Sequence, residues 1–199
     1  MELEKECYKK LHLGCGKLKL EGFINIDLDD SADIIHDIKN LKIFEDESIS
    51  EIYASHCLEH FSRREIINIL LEWKRVLKVD GILRIAVPDL EAVINLYNEN
   101  PDNIFLLMGL IYGGQRNELD YHKFGFTFTT LSDTLESLGF ESIKRYDTWE
   151  FLGEDLDDYS KSYIPHMDRN GTLVSLNIKC KKSTNEINIS PRLESMFKI

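Results

Sequence analysis

The 199 residues carry 24 lysines and arginines against 35 aspartates and glutamates, a formal net charge of −11, and 43% of them are hydrophobic. Such a length and mixture suit one soluble globular domain with a single core, neither disordered nor fibrous. An acidic surface repels a phosphate backbone and no run of basic residues builds a local stripe, so nucleic acid is not expected as a partner.

The start, Met1-Glu2-Leu3-Glu4-Lys5-Glu6, has no apolar segment behind a basic tip and does not read as a secretory signal. The longest apolar stretch, Ile104 to Tyr112, is about half of a membrane crossing. A cytoplasmic protein is the expectation. Cys7, Cys15, Cys57 and Cys180 are scattered without a C-x-x-C pair, which predicts reduced thiols rather than disulfides or a structural zinc. No repeat or linker interrupts the chain. One domain is expected over 1–182, with an insertion at about 99–128, and a loosely held polar tail over 183–199.

In chain order, β-branched apolar runs alternate with helical periodicity, the pattern of an α/β fold with a parallel sheet covered on both faces. Strands are expected at 10–13, 23–28, 34–36 and 49–55. Ser62-Arg63-Arg64-Glu65 then reads as a capping box, followed by Ile66, Leu70, Trp73 and Leu77 on one helical face and Gly81 as a stop. A strand follows at 82–87. Asp89 caps a second helix whose buried stripe is Leu90, Val93, Ile94 and Tyr97. Thr130 caps a third, with Leu131, Leu135 and Leu138 inward, ahead of strands at 142–146 and 173–180. Residues 103–128 fit the alternation least and read as an insertion after the fifth strand, where α/β proteins build substrate sites.

The first strand runs into Gly14-Cys15-Gly16, a turn whose glycines let a ligand approach and whose N–H groups suit an anion. A dinucleotide fingerprint needs a third glycine, but position 19 is Lys, and no pyrophosphate-binding helix fits into 17–22. A smaller ligand with one anionic end, a ribose and an adenine suits the layout. Asp27, in Asp27-Leu28-Asp29 at the tip of the second strand, can accept from both ribose hydroxyls. Asp37-Ile38, after the third strand, can accept from an adenine amine and donate to the ring. S-adenosylmethionine has these parts.

The motifs resemble those of the class I S-adenosylmethionine-dependent methyltransferases, in a small bacterial branch of the type 11 kind. Leu11 to Gly16 is similar to the glycine-rich first motif, Ile26-Asp27 to the ribose-binding acid, and His36-Asp37-Ile38 to the adenine-binding segment. Ser55-His56-Cys57-Leu58-Glu59-His60 resembles the fourth-strand segment, and Val76 to Asp89 the "VLKPGG-L-I-VPD" stretch. The resemblance implies a Rossmann-like, doubly wound, seven-stranded, mostly parallel sheet with an antiparallel last strand. It implies a cofactor site made of Gly14, Cys15, Gly16, Asp27, Leu28, Asp37, Ile38, Ser55 and His56, the last two lining the methionine and methyl end. It further implies methyl transfer to an oxygen or nitrogen of a small or sugar-linked acceptor, by a monomer or homodimer. Three features depart from the pattern: His12 stands where many members carry an acid, the first helix is reduced to a few residues, and Val79-Asp80 replaces Pro-Gly.

Two histidine groups remain. His56-Cys57-Leu58-Glu59-His60 spells H-x-x-E-H, a zinc-hydrolase motif that works only on a helix; here it follows a strand, so no metal is expected. His122, in Tyr121-His122-Lys123-Phe124 of the insertion, is a candidate general base, as is His56. Phe124, Phe126 and Phe128 read as core or as a pocket lid, and the acidic stretch 154–163 as solvated surface, with Tyr159 and Tyr163 able to cover a substrate. A noncatalytic cofactor-binding scaffold and a metal hydrolase built on His56, Glu59 and His60 are the alternatives.

Overall fold

Strand β1 (Lys9–Leu13) turns apolar after two exposed lysines, and its Leu11 and Leu13 are fully buried at the middle of a sheet. The structure, a computed structural model, describes residues 9–166 and 168–198, so Cys7 and the charged start lie outside the described residues. Beside β1 lie β2 (Ile24–Asp27) and then β3 (Ile34–Ile35); on its other side lie β4 (Ile49–Ser55) and β5 (Leu77–Pro88), all parallel. After β6 (Phe140–Arg145), β7 (Tyr163–Ile164) and β8 (Thr172–Leu173) form a separate hairpin, and β9 (Ser175–Lys182) inserts antiparallel between β5 and β6. The order β3-β2-β1-β4-β5-β9-β6 is the doubly wound, mostly parallel sheet expected, with its last strand reversed. Strand order changes direction at β1 and β4, so the chain diverges there and leaves a crevice at the carboxyl ends of the strands.

Helix α1 (Ile66–Val76) buries Ile66, Ile67, Ile69, Leu70, Trp73 and Val76 on the sheet. Its start is half a capping box: the Glu65 carboxylate accepts from the Ser62 N–H at 3.1 Å and from its hydroxyl at 2.7 Å, so that hydroxyl caps nothing. The helix ends at Val76, short of Gly81. Leu77 is buried opposite Ile49 and already belongs to β5; Asp80, at φ 62°, and Gly81 occupy a register shift inside that strand.

Asp89 caps α2 (Leu90–Glu99), accepting from the N–H groups of Glu91 and Ala92. Only Val93 of the expected stripe is fully buried, and Ile94 and Tyr97 are 49% and 43% exposed. The helix packs against α3 (Ile104–Tyr112) rather than lying flat on the sheet, and α3 in turn exposes Phe105 and Leu106. The cap of α4 (Phe128–Ser137) is Thr127, three residues before the expected Thr130, which serves instead as the reciprocal partner in a complete capping box. Leu131, Leu135 and Leu138 are buried as expected, and Phe126 is core. After the short α5 (Thr148–Leu152), the chain ends in α6 (Pro191–Phe197). Leu193 and Phe197 are buried, the Phe197 ring lying 5.4 Å from that of Phe124, so the polar residues from 183 onward are not a loose tail. Among the described residues, no helix is long and apolar enough to cross a membrane.

Candidate functional site

A cleft of about 710 Å³ opens at the ends of β1, β2 and β4. Its floor is the bend after β1, where Gly14 and Gly16 hold φ of 68° and 51°, values a side chain resists. Their uses differ. A Cβ on Gly14 would stand 2.6 Å from the Cβ of Cys57, whereas one on Gly16 would meet nothing within 4 Å. Gly14 thus lets β1 close on the segment after β4, and Gly16 leaves room for a ligand. The bend does not offer its amides to an anion as the sequence suggested. Gly14 and Cys15 donate to the Ile26 carbonyl at 2.9 and 3.2 Å, and Gly16 donates to the Asp27 carboxylate at 2.8 Å. With too few residues for a first helix, the turn folds down onto β2.

Asp27 also accepts from the Asp29 N–H at 2.9 Å, so each oxygen keeps a lone pair for the cleft. Leu28 follows on the wall. Asp37 accepts from the Lys39 N–H at 2.9 Å. The Ile38 carbonyl is held by the Trp73 indole at 2.9 Å, while its N–H has no partner among the described residues. All nine residues expected around a cofactor, from Gly14 to His56, line this one cleft.

His12, beneath the floor, is buried and donates through Nδ1 to Asn25 Oδ1 at 3.1 Å, an oxygen already bonded to the Leu20 N–H. Burial lowers its pKa, outweighing the hydrogen bond to Asn25, so the ring is neutral at pH 7. A buried acid from far along the chain also lines the cleft. Asp158 is only 9% exposed, and its Oδ1 accepts from Tyr53 Oη and Ser55 Oγ, both at 2.8 Å, and from the Ser160 N–H at 2.7 Å. Burial pushes its pKa up, but the bonds from Ser160, Ser55 and Tyr53 outweigh burial and hold it below the usual carboxylate value. The stretch 154–163 is therefore not simply solvated surface. Asp158 caps the turn over Tyr159–Lys161, a local signal that a sequence can carry, whereas nothing local marks its burial against β4. Tyr159 also lines the cleft; Tyr163 sits in the β7–β8 hairpin, away from its wall.

At the end of β4, His56 takes φ 48° and turns the chain into a 3-10 turn over Leu58–His60. H-x-x-E-H is thus not helical. A relay fixes His56: Asn177 Nδ2 donates to the Ser160 carbonyl, Ser175 Oγ donates to Asn177 Oδ1, and His56 Nε2 donates to Ser175 Oγ at 2.9 Å. Its Nδ1 faces Glu59 Oε1 at 3.4 Å. His122 donates through Nδ1 to the Leu110 carbonyl at 3.0 Å, with Nε2 3.9 Å from the same Glu59 oxygen. Burial lowers the His122 pKa despite the nearby Glu59. It lies behind His60, whose ring is 4.8 Å away, and is not part of the cleft wall. Neither candidate base turns a free nitrogen to the cleft, which corrects the expectation of direct proton transfer. Cys15 and Cys57 are buried free thiols, and burial raises the pKa of Cys15 to about 11.

Residues 21–85, about a third of the chain, match the family model described as a methyltransferase domain. A SAM-dependent methyltransferase from Archaeoglobus fulgidus superposes with a TM-score of 0.55 at 18% identity, covering 88% of this chain and 86% of that one. One from Methanosarcina mazei gives 0.55 at 17% identity, covering 89% and 93%. One from Thermotoga maritima, described as a possible histamine N-methyltransferase, gives 0.53 at 18% identity, covering 88% and 82%. No curated protein matches the sequence. These superpositions and the sheet order show the fold of an S-adenosylmethionine-dependent methyltransferase, and the family match falls on the segment that carries Asp27, Asp37 and His56. The open space at Gly16, the spare lone pairs of Asp27 and the free Ile38 N–H fit S-adenosylmethionine.

Proposed function

We propose that this cleft holds S-adenosylmethionine and presents its methyl group to an oxygen or nitrogen of a small or sugar-linked acceptor. The observation that carries this reading is the convergence of Asp27 and Asp37 with the first bend on one cleft. Asp27 accepts from the ribose hydroxyls; Asp37 and the Ile38 N–H take the adenine edge, with Leu28 against the ring. Gly14, Cys15 and Gly16 form the floor beneath the sugar. Asp158 balances the methionine ammonium where His12 carries no charge, and Ser55 and His56 bound the methyl end.

When bound, the cofactor supplies a methyl group on a sulfonium, an electrophile that needs no added acid. The protein's task is then alignment, and well-oriented reacting pairs gain on the order of 7–11 kcal/mol. His56, locked by Ser175 and facing Glu59, fixes one wall of the acceptor space; Tyr159, Lys123 and the Arg116–Asp120 pair edge the same cleft and give it a polar mouth. That polarity favours a hydroxyl- or amine-bearing acceptor.

Calorimetry with S-adenosylhomocysteine tests the reading. Wild type binds in the micromolar range, about −8 kcal/mol, and Asp27→Ala and Asp37→Ala each weaken binding by about tenfold or more, the loss of a charge-assisted hydrogen bond. Unchanged affinity in both variants refutes the site.

A further inference from the structure

Beside the cleft, Glu59 presents a problem that methyl transfer does not solve. Its side chain is 1% exposed, and neither carboxylate oxygen has a hydrogen-bond partner. A buried polar group left unpaired is destabilising, and a buried carboxylate more so, unless a cation compensates it. What faces this carboxylate is imidazole. His122 spends Nδ1–H on the Leu110 carbonyl and His60 spends Nδ1–H on the Tyr121 carbonyl, at 3.0 and 3.2 Å. A carbonyl can only accept, so both protons are placed on Nδ1, and both Nε2 atoms are left as lone pairs. An imidazole whose far nitrogen is tied to a backbone carbonyl is the usual outer-shell arrangement of a metal-binding histidine.

We propose that Glu59, His60 and His122 bind one divalent cation of the zinc class. One ligand atom from each lies within 4.8 Å of the others. A tetrahedral zinc with bonds of about 2.0–2.1 Å holds its ligand atoms roughly 3.3 Å apart, so small side-chain rotations close the set. Two imidazoles and a carboxylate are a donor set that zinc accepts, with a fourth position left for water or another ligand. The site borders the cleft, since His60 is part of its wall. The trio differs from H-x-x-E-H: the 3-10 turn contributes Glu59 and His60, and the insertion contributes His122. His56 is the rival cation, because protonated on Nδ1 it would balance Glu59 at 3.4 Å without any metal. The site rests on this geometry alone and holds whether or not methyl transfer is the reaction.

The test is metal content and metal affinity of the tag-free protein. Protein purified without chelator is assayed by plasma mass spectrometry, then stripped and titrated with Co²⁺ in the visible range and with Zn²⁺ against a chromophoric chelator. Wild type is expected to carry about one zinc-class ion per chain and to give the intense bands of tetrahedral cobalt. Glu59→Gln and His122→Ala lose more than the roughly 10–100-fold in affinity that an outer-shell change costs. His60→Ala, at a partly exposed position, does the same with an unchanged circular dichroism spectrum, which separates metal loss from misfolding. His166→Ala, at an exposed position away from the cleft, keeps wild-type affinity. Substoichiometric metal with no cobalt bands, or equal affinity in wild type, His60→Ala and His122→Ala, overturns the proposal and leaves His56 as the partner of Glu59.

Discussion

Asp158→Asn separates charge from shape at the methionine end of the cleft. The asparagine oxygen can still accept from Tyr53, Ser55 and the Ser160 N–H, which all converge on Oδ1, so the loop keeps its anchor while the negative charge is lost. A hydrogen bond to a charged group contributes about 1.5–3 kcal/mol, and losing that contribution at the cofactor ammonium raises the dissociation constant of S-adenosylhomocysteine about ten- to a hundredfold. The same change lowers stability by roughly 1–3 kcal/mol, because three charge-assisted bonds become neutral ones. The two effects separate with pH. The folded-state pKa of Asp158 lies below its unfolded value of about 3.9, so its carboxylate contributes its full stability above that value and loses it as pH falls through the folded pKa. The gap in denaturant stability between wild type and Asp158→Asn is therefore widest near neutrality and closes in acid. Calorimetry and urea titrations from pH 7 to pH 3 make the measurement. An Asn variant that binds S-adenosylhomocysteine as wild type does, while its stability shows the acid-closing gap, would reduce Asp158 to a structural anchor and refute its place at the ammonium.

Gly14→Ala places a methyl group against Cys57 at a positive φ, and overpacking of that kind costs about 1–3 kcal/mol before backbone strain is added; thermal melts read the loss, and an unchanged melting temperature disproves the contact. Trp73→Phe keeps a ring in the core but unpairs the Ile38 carbonyl, costing about 1–3 kcal/mol. Because Ile38 edges the proposed adenine position, S-adenosylhomocysteine affinity should fall with it; stability loss at constant affinity would detach Trp73 from the site. Phe197→Ala should cost about 3–5 kcal/mol in urea unfolding, since α6 seals the core beside Phe124. A loss under 1 kcal/mol would restore the reading of a loose tail.

The first half of the chain was largely legible because its signals are local. A strand's apolar run, its terminal acid and the Gly-x-Gly bend sit within a few residues of one another, and parallel strand order then brings Asp27 and Asp37 together at the same end of the sheet. Where the reading failed, the deciding contact was distant in sequence or the competing element stronger. Gly81 looked like a helix stop, but burial of Leu77 opposite Ile49 ended the helix four residues sooner. Thr130 looked like a cap, but Thr127 offers a reciprocal capping box and prevails. Ile94 and Tyr97 keep helical spacing, yet α2 lies against α3, so periodicity marked a face without saying what covers it. The tail's few apolar residues are diluted by polar ones, and only packing reveals that Leu193 and Phe197 are the ones buried.

Asp158 shows the same limit at the site itself, and its position follows from the departure at His12. An acid at position 12 would lie in β1, at the base of the cleft, with its charge compensated by the ligand alone. Here that position holds a neutral imidazole bonded to Asn25, which in turn ties the short 17–22 segment to β2 through the N–H and carbonyl of Leu20. Those bonds close the bend in place of a first helix. The loop ahead of β7 brings a negative charge to the cleft: Ser55, at the end of β4, and Tyr53, two residues earlier on that strand, both donate to Asp158, whose pKa lies below the usual carboxylate value. Asp158 stands 146 residues beyond His12 in the sequence, so a motif scan confined to the first strand does not find it. On the proposed placement of the cofactor ammonium beside Asp158, Asp158→Asn combined with His12→Asp recovers part of the affinity that Asp158→Asn loses, and a double variant no tighter than the single one would show that the two positions do not serve one ligand group.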